Sequence, residues 1–214
     1  MIHAALAHDV LSVLWHPPFY YKNLPDDGII AFYKECLERV NALTSTNKCL
    51  KVVLYNFPTL TGVELTHNIV AQLYSLFPSN IMGIKDSGCN FEHTLAYVER
   101  FPQLKIYAGK DTDTSELVRR GAAGGIGSLA NFIPKLMRSL YEFGKDETKA
   151  NRNEEINNLV PIINKHWAIC SMKALMGVLT NNKQWNVARP PFYTLSWEQG
   201  EELVRLMKEA RINK

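Results

Sequence analysis

Short apolar runs alternate along the chain with segments whose apolar residues recur every three or four positions, and the alternation continues to about Ser128. Val10 to Leu14 reads as a strand that stops at His16-Pro17-Pro18, after a helix end over Ile2–Ala7. Asp26-Asp27 then precede Ile29, Ile30, Phe32, Tyr33 and Leu37, a helical spacing with acids in the first turn, where the helix dipole favours them. That helix ends near Ala42. A strand over 51–55 and a loop follow, and Thr66 is a natural cap for a helix carrying Ile69, Val70, Leu73 and Leu76. Further on, the pattern predicts strands over 81–85, Leu104–Ala108 and Gly124–Gly127, with helices over Phe91–Arg100 and from about Asp113 to Arg120 between them. Asp113 with Glu116 three residues on has the spacing of a capping box. From about Phe132 only helices are expected, including segments 149–164, 168–180 and 196–211.

Five strands separated by helices argue for a parallel sheet covered by helices. The chemically informative residues stand at carboxyl ends of strands, at Pro17 to Tyr21, Tyr55, Lys85, Gly109 to Asp111 and Ser128. Barrels and open doubly wound sheets both build their sites on that edge, so the pattern predicts a site without choosing between the two folds.

Composition narrows the classes. The 214 residues are 46% hydrophobic with a net charge of +3, and the basic residues are scattered, which fits one ordered globular core and argues against nucleic acid as a partner. No apolar run is long enough to suggest a membrane span, and no signal-peptide pattern opens the chain. Cys36, Cys49, Cys89 and Cys170 lie far apart without a CxxC pair, so no metal is expected and a cytoplasmic protein with reduced thiols fits better.

The residue most in need of explanation is Lys85. It ends the apolar run Ile81-Met82-Gly83-Ile84, thirty positions (85 − 55) after Tyr55 ends the run Val52-Val53-Leu54. That spacing leaves room for one helix between two parallel strands, which pair roughly 4.8 Å apart, so phenol and amine could face one small ligand. A lysine among apolar neighbours loses part of the water that stabilises its ammonium form, which favours the free amine, and a free amine attacks ketones. The phenol could shuttle the proton that carbinolamine formation and bond cleavage require. In the bland alternative Lys85 caps its strand by pairing with Asp86, and Tyr55 merely packs.

The neighbouring words discriminate. Tyr55-Asn56-Phe57-Pro58-Thr59-Leu60-Thr61-Gly62 and Gly83-Ile84-Lys85-Asp86-Ser87 together resemble the paired signatures of the dihydrodipicolinate synthase and N-acetylneuraminate lyase family, class I pyruvate-handling aldolases on a (β/α)8 TIM barrel. The resemblance continues in Pro17-Pro18-Phe19-Tyr20-Tyr21, Tyr107 to Asp111, Gly124 to Asn131 and Arg189-Pro190-Pro191. It implies that residues 1–131 form part of a barrel, about five of its eight strands, with the last barrel helix and a helical region over 132–214. It also implies that Lys85 is the imine-forming lysine and Tyr55 the acid/base tyrosine, with no cofactor beyond the covalent imine. Tyr20, or failing it Tyr21, corresponds to the aromatic that supports a neighbouring subunit's proton relay, so a homo-oligomer is expected. Ile126 falls where the family contacts pyruvate through its backbone.

Leu60 stands where the synthases of this family carry an arginine that grips a substrate carboxylate, and leucine cannot make that bidentate contact. This favours the lyase and sugar-acid branch over 4-hydroxy-tetrahydrodipicolinate synthase. In the neuraminate lyases the positions of Asp111, Thr112 and Ser128 meet the polyhydroxylated aldehyde; Asp111 and Ser128 keep a hydrogen-bonding group, but Thr112 replaces an acid. Asn56-Phe57-Pro58-Thr59 also resembles the 2-keto-3-deoxygluconate aldolases, so a 2-keto-3-deoxy sugar acid is the expected substrate class, with pyruvate and an aldehyde as its parts. Asp111 could equally cap the helix after it, and backbone hydrogen bonds would explain the strand-end hydroxyls of Ser87 and Ser128 nearly as well as a ligand. Gly125-Ile126-Gly127-Ser128-Leu129-Ala130 satisfies a GxGxxA fingerprint and could suggest a dinucleotide or phosphate. No good apolar strand precedes it, and Pro134 interrupts the expected helix start after it. The chain opens in the helix before what resembles the fourth barrel strand, and the family's Gly-Thr/Ser-Thr-Gly-Glu carboxylate-binding loop has no counterpart in it. Truncation, with a non-catalytic remnant or assembly subunit as one outcome, is therefore a second expectation.

Overall fold

The computed structural model describes His8, residues 10–43 and residues 49–210; the helix end expected over Ile2–Ala7 lies outside them. The chain divides into two compact units, Met1–Gly127 and Ser128–Lys214. In the first, strands β1 (Ser12–Trp15), β2 (Lys51–Asn56), β3 (Ile81–Asp86), β4 (Lys105–Ala108) and β5 (Gly124–Gly125) form one parallel sheet in chain order. A helical crossover joins each pair, as parallel pairing requires. Helices α1 (Asp26–Leu43), α2 (Pro58–Thr61), α3 (His67–Leu76), α4 (Phe91–Arg100) and α5 (Thr114–Arg119) make up these crossovers.

The core lies on the helix side of the sheet. Val52, Leu54, Ile84 and Ile106 are buried there with Ile29, Tyr33 and Leu37 of α1 and Ile69 and Leu73 of α3. The Tyr33 hydroxyl donates to the Trp15 carbonyl at 3.2 Å, so a buried phenol finds its partner on β1. Asp26 opens α1 and accepts from the Thr66 hydroxyl at 2.8 Å and the Asn68 amide at 2.9 Å, fastening the starts of α1 and α3 together. Thr66 caps α3 as its sequence position suggests, its side chain accepting from the Ile69 N–H at 3.2 Å.

Several boundaries differ from expectation. β1 is assigned from Ser12 rather than Val10, although the Leu11 carbonyl already accepts from the Lys51 N–H at 2.8 Å. The loop before Thr66 contains a short helix, α2, that starts with Pro58, whose fixed φ suits a first helical position, and ends at Gly62 with φ 65°. The expected capping box at Asp113 does not form. Asp113 has helical rather than extended backbone angles, its carboxylate pairs with Lys110 at 3.2 Å, and Glu116 is taken by Arg119 and Arg120.

The second unit is helical, with α6 (Pro134–Lys145), α7 (Asn153–Ile163), α8 (Ala168–Thr180) and α9 (Trp197–Glu209) around Leu136, Leu140, Ile156, Leu159, Leu175 and Leu203. Pro134 begins α6 instead of interrupting it, again at the position where a missing N–H costs nothing. α7 starts later than the pattern suggested, because the Asn151 side chain accepts from the Asn153 N–H at 3.0 Å in a local turn. A capping box between Ser196 and Gln199 starts α9.

Candidate active site

The site is built by register. Tyr55 and Lys85 are paired positions of β2 and β3, and Tyr107 of β4 is in turn paired with Lys85. Paired residues of a parallel sheet point to the same face, so one row of side chains runs Tyr55, Lys85, Tyr107. The Lys85 amine donates to the Tyr55 hydroxyl at 3.1 Å and lies 4.1 Å from the centre of its ring. Both residues are half-buried, opposite the helix-covered face where Val52, Leu54 and Ile84 pack.

The bland alternative for Lys85 needs Asp86 as its partner, and the alternation of the strand removes it. Asp86 points to the other face, is buried, and accepts from Asn56, Thr94 and the Gly88 N–H. Lys85 is left with the phenol as its neighbour at the sheet's carboxyl edge, the edge on which parallel α/β folds build their sites.

Gly109, at the end of β4, lets the strands converge there. A β-carbon on it would stand 2.5 Å from the Asp86 carbonyl oxygen, which accepts the Gly109 N–H at 2.8 Å, and 2.8 Å from Ser87 Cα. Ser87 is buried at the end of β3, its N–H bonded to the Asn56 carbonyl at 2.8 Å. Asp111 opens a 3-10 turn over Asp111–Asp113, and its carboxylate occupies the space that a side chain on Gly127 would need. The Ile126 N–H donates to the Ala108 carbonyl at 2.9 Å, extending the ladder beyond β5, while its side chain is part-exposed. Tyr20 is 81% exposed in the loop after β1, stacked edge-on against Tyr21 at 5.2 Å. The loop is tethered by Lys22, whose amine donates to the Phe19 carbonyl and, at 2.7 Å, to the Thr61 carbonyl. Ser128 belongs to the second unit, where its carbonyl accepts from the Asn131 N–H at 3.1 Å and side-chain amide at 3.2 Å.

The structure thus joins Tyr55 to Lys85 directly and sets Ser87 on the same strand end. Tyr107 was overlooked as a site residue, although the same strand pairing that joins Tyr55 to Lys85 carries the row on to it. The polar layer behind the pair, made of Asn56, Asp86, His93 and Thr94, was overlooked too; Asn56 and Asp86 repeat the thirty-residue spacing (86 − 56) one position later. Around this layer burial holds the Tyr97 phenol far above its usual value, and the Asp86 and Glu64 carboxylates add to the effect. Burial also lowers the His67 imidazole, with Arg100 and His93 acting in the same direction.

The model of the Dihydrodipicolinate synthetase family matches residues 5–210. The chain belongs to this family. Its members are class I lyases and aldolases, and the five-stranded sheet with its helices is part of their TIM-barrel fold. Among curated proteins, a DapA-like lyase of Chloroflexus aurantiacus is 32% identical over 139 residues, covering 65% of this chain and 44% of that protein. Among solved structures, dihydrodipicolinate synthase from Agrobacterium tumefaciens superposes with a TM-score of 0.83 at 27% identity, over 97% of this chain and 69% of that one. A variant of the 2-keto-3-deoxygluconate aldolase of Sulfolobus solfataricus superposes at 0.82 with 19% identity, over 98% of this chain and 68% of that one, which shows the shared fold. The chain therefore spans less than half of that curated relative and about two thirds of these solved structures. Among the described residues no three His, Cys, Asp or Glu side chains converge as a metal site, and no helix is long and apolar enough to cross a membrane.

Proposed function

We propose that this chain supplies the bond chemistry of a carbon–carbon lyase that joins pyruvate to an aldehyde, or releases it, through an imine on Lys85. The observation that carries this reading is the Lys85–Tyr55 contact at 3.1 Å. Lys85 as the free amine attacks the ketone carbon of the 2-oxo acid, and a proton moves from nitrogen to the new carbinolamine oxygen through the Tyr55 hydroxyl. A second proton, given by the Tyr55 hydroxyl itself, lets that oxygen leave as water; the nitrogen lone pair forms the protonated imine and Tyr55 is left as the phenolate. In the cleavage direction Tyr55 takes the proton from the hydroxyl on C4 of the substrate, the C3–C4 bond breaks to release the aldehyde, and its electron pair is held as the enamine on the pyruvyl fragment. Protonation of that carbon and hydrolysis return Lys85. In the condensation direction the same steps run in reverse.

Ser87, beside Lys85 at the strand end, and Asp111 serve in this reading as hydrogen-bonding groups for the substrate, and the Ile126 backbone borders the pyruvyl group. Tyr20 has its role in a homo-oligomer, where its exposed ring reaches a neighbouring subunit's relay. The substrate class we favour is a 2-keto-3-deoxy sugar acid. Leu60, 67% exposed on α2, offers no cation to an aldehyde that carries its own carboxylate. Pyruvate release from 2-keto-3-deoxygluconate, compared with pyruvate consumption in the presence of aspartate semialdehyde, tests this choice. Turnover of the sugar acid alone supports it. Preference for the carboxylated aldehyde would replace it with 4-hydroxy-tetrahydrodipicolinate synthase, and turnover of neither would favour a non-catalytic binding or assembly role.

A further inference from the structure

Directly behind the Tyr55–Lys85 pair, on the helix-covered face, lies a buried polar layer that no step above uses. Its centre is Asp86, whose side chain has no exposure to solvent. One carboxylate oxygen accepts from the Asn56 side-chain amide at 2.9 Å and the Gly88 N–H at 3.0 Å. The other accepts from the Thr94 hydroxyl at 2.7 Å and faces His93 Nδ1 at 3.2 Å. His93 Nε2 faces the Glu64 carboxylate at 3.0 Å, so the ring stands between two acids. Asn56 is equally committed, since its side-chain oxygen accepts the Leu65 N–H at 2.9 Å.

A buried carboxylate is tolerated only when its lone pairs are met, and a network of this kind is costly to leave half-satisfied. Every member here has a partner, and the partners are drawn from the end of β2, the end of β3 and the loop after it, the loop before α3, and the first turn of α4. Asn56 and Asp86 are themselves paired in register, one residue beyond Tyr55 and Lys85. Because side chains alternate across a strand, the two pairs share the same two backbones at adjacent positions on opposite faces. The relative height and twist of the two strand ends, which decide where amine and phenol meet, are therefore set by the bonds behind them.

We infer that Asn56, Asp86 and His93 are positioning residues: a rear clamp that fixes the Lys85 amine against the Tyr55 hydroxyl. The inference rests on the imine reading for its catalytic meaning, but the clamp itself is a statement about the amine's surroundings and has its own readout.

Two measurements on the full chain test it, with Asn56→Leu, which removes the amide at similar volume, and His93→Gln, which keeps one donor and one acceptor. The first is the rate at which borohydride traps pyruvate on Lys85, per folded molecule, across pyruvate concentrations. The clamp predicts at least a tenfold fall in the maximal trapping rate for Asn56→Leu, a half-saturating pyruvate concentration changed less than twofold, and a smaller fall for His93→Gln. A purely structural role would lower the folded fraction and leave the rate per folded molecule unchanged, which overturns the inference. The second is competitive acetylation of Lys85 against the exposed Lys34, read by mass spectrometry without pyruvate. Release of the amine from the phenol predicts at least a threefold rise in the Lys85/Lys34 ratio for Asn56→Leu. If the unaltered chain traps no pyruvate at all, the imine reading fails and the acetylation ratio alone decides: a threefold rise upholds the clamp, and an unchanged ratio overturns it. Should Asn56→Leu not fold, His93→Gln is read by the same two criteria, with any rate fall or ratio rise beyond twofold upholding the clamp and a smaller change overturning it.

Discussion

Substituting Gly109 by alanine pushes a methyl group into the place where β3 and β4 converge beside Lys85. The new carbon would lie 2.5 Å from the Asp86 carbonyl oxygen and 2.8 Å from Ser87 Cα, both of them backbone atoms, so no rotamer change relieves the clash. Ordinary contact distances for such atoms are about 3.5 Å, so the strands must separate by several tenths of an ångström or more. The ladder bond from the Gly109 N–H to that same oxygen, at 2.8 Å, lengthens with them. Overpacking of this kind costs about 1–3 kcal/mol, and weakening one ladder bond adds about 1 kcal/mol. The reduced freedom of the unfolded chain gives back about 0.4–1 kcal/mol. The net loss is about 1–3.6 kcal/mol, a fall in Tm of about 2–14 °C for a chain of this size. Gly28→Ala is the internal comparison. A β-carbon there meets only Pro25, at 3.8 Å, within α1, so the same change of residue should be neutral or stabilise by about 0.5 kcal/mol. Thermal unfolding followed by circular dichroism gives both values. A Gly109→Ala melt equal to or above that of the unaltered chain would refute the convergence of β3 and β4 described here.

Other outcomes follow from the same contacts. Tyr55→Phe keeps the ring under the Lys85 amine but deletes the hydroxyl that accepts from it, and should slow borohydride trapping of pyruvate about a hundred- to a thousandfold with little change in Tm. Ser196→Ala removes the side-chain half of the capping box of α9, the oxygen that accepts from the Gln199 N–H at 3.2 Å, leaves the Ser196 N–H bonded to the Gln199 side chain, and should cost about 1 kcal/mol in a urea melt. His67 has its pKa lowered by burial, so the folded chain resists a proton that the unfolded chain accepts from about pH 6.5 downward. The unfolded state then binds more protons, and stability should fall as pH drops below that value. Tm measured between pH 7.5 and pH 5 should decline less steeply in His67→Phe than in the unaltered chain, and parallel curves would contradict the assignment.

Much of this architecture was legible in the sequence, and the reason is periodicity. β1 to β4 announce themselves as apolar runs because a parallel sheet is buried on its helix side, and Thr66 declares the start of α3 because a cap needs an oxygen at that position. The thirty-residue spacing brought Tyr55 and Lys85 together because equal spacing between parallel strands carries register with it. Less was legible where partners come from distant elements. Asp113 and Glu116 have the spacing of a capping box, but Lys110, Arg119 and Arg120 compete for their carboxylates, and spacing takes no account of competitors. Asp86 looked like a partner for Lys85 because it is adjacent in sequence. Adjacency in a strand means opposite faces, and its true partners Asn56, Thr94 and His93 come from β2 and α4. A tyrosine in an apolar run reads first as packing, and only strand register joins Tyr107 to the row.

The central claim is that the Lys85 amine, held against the Tyr55 hydroxyl, forms an imine with a 2-oxo acid. Its most direct test is sodium borohydride reduction of the chain in the presence of saturating pyruvate, followed by peptide mass spectrometry. The account predicts a reduced pyruvyl adduct on Lys85, absent in Lys85→Ala and greatly slowed in Tyr55→Phe. No adduct on Lys85 in folded protein, or an equal adduct on exposed lysines such as Lys34, would contradict it.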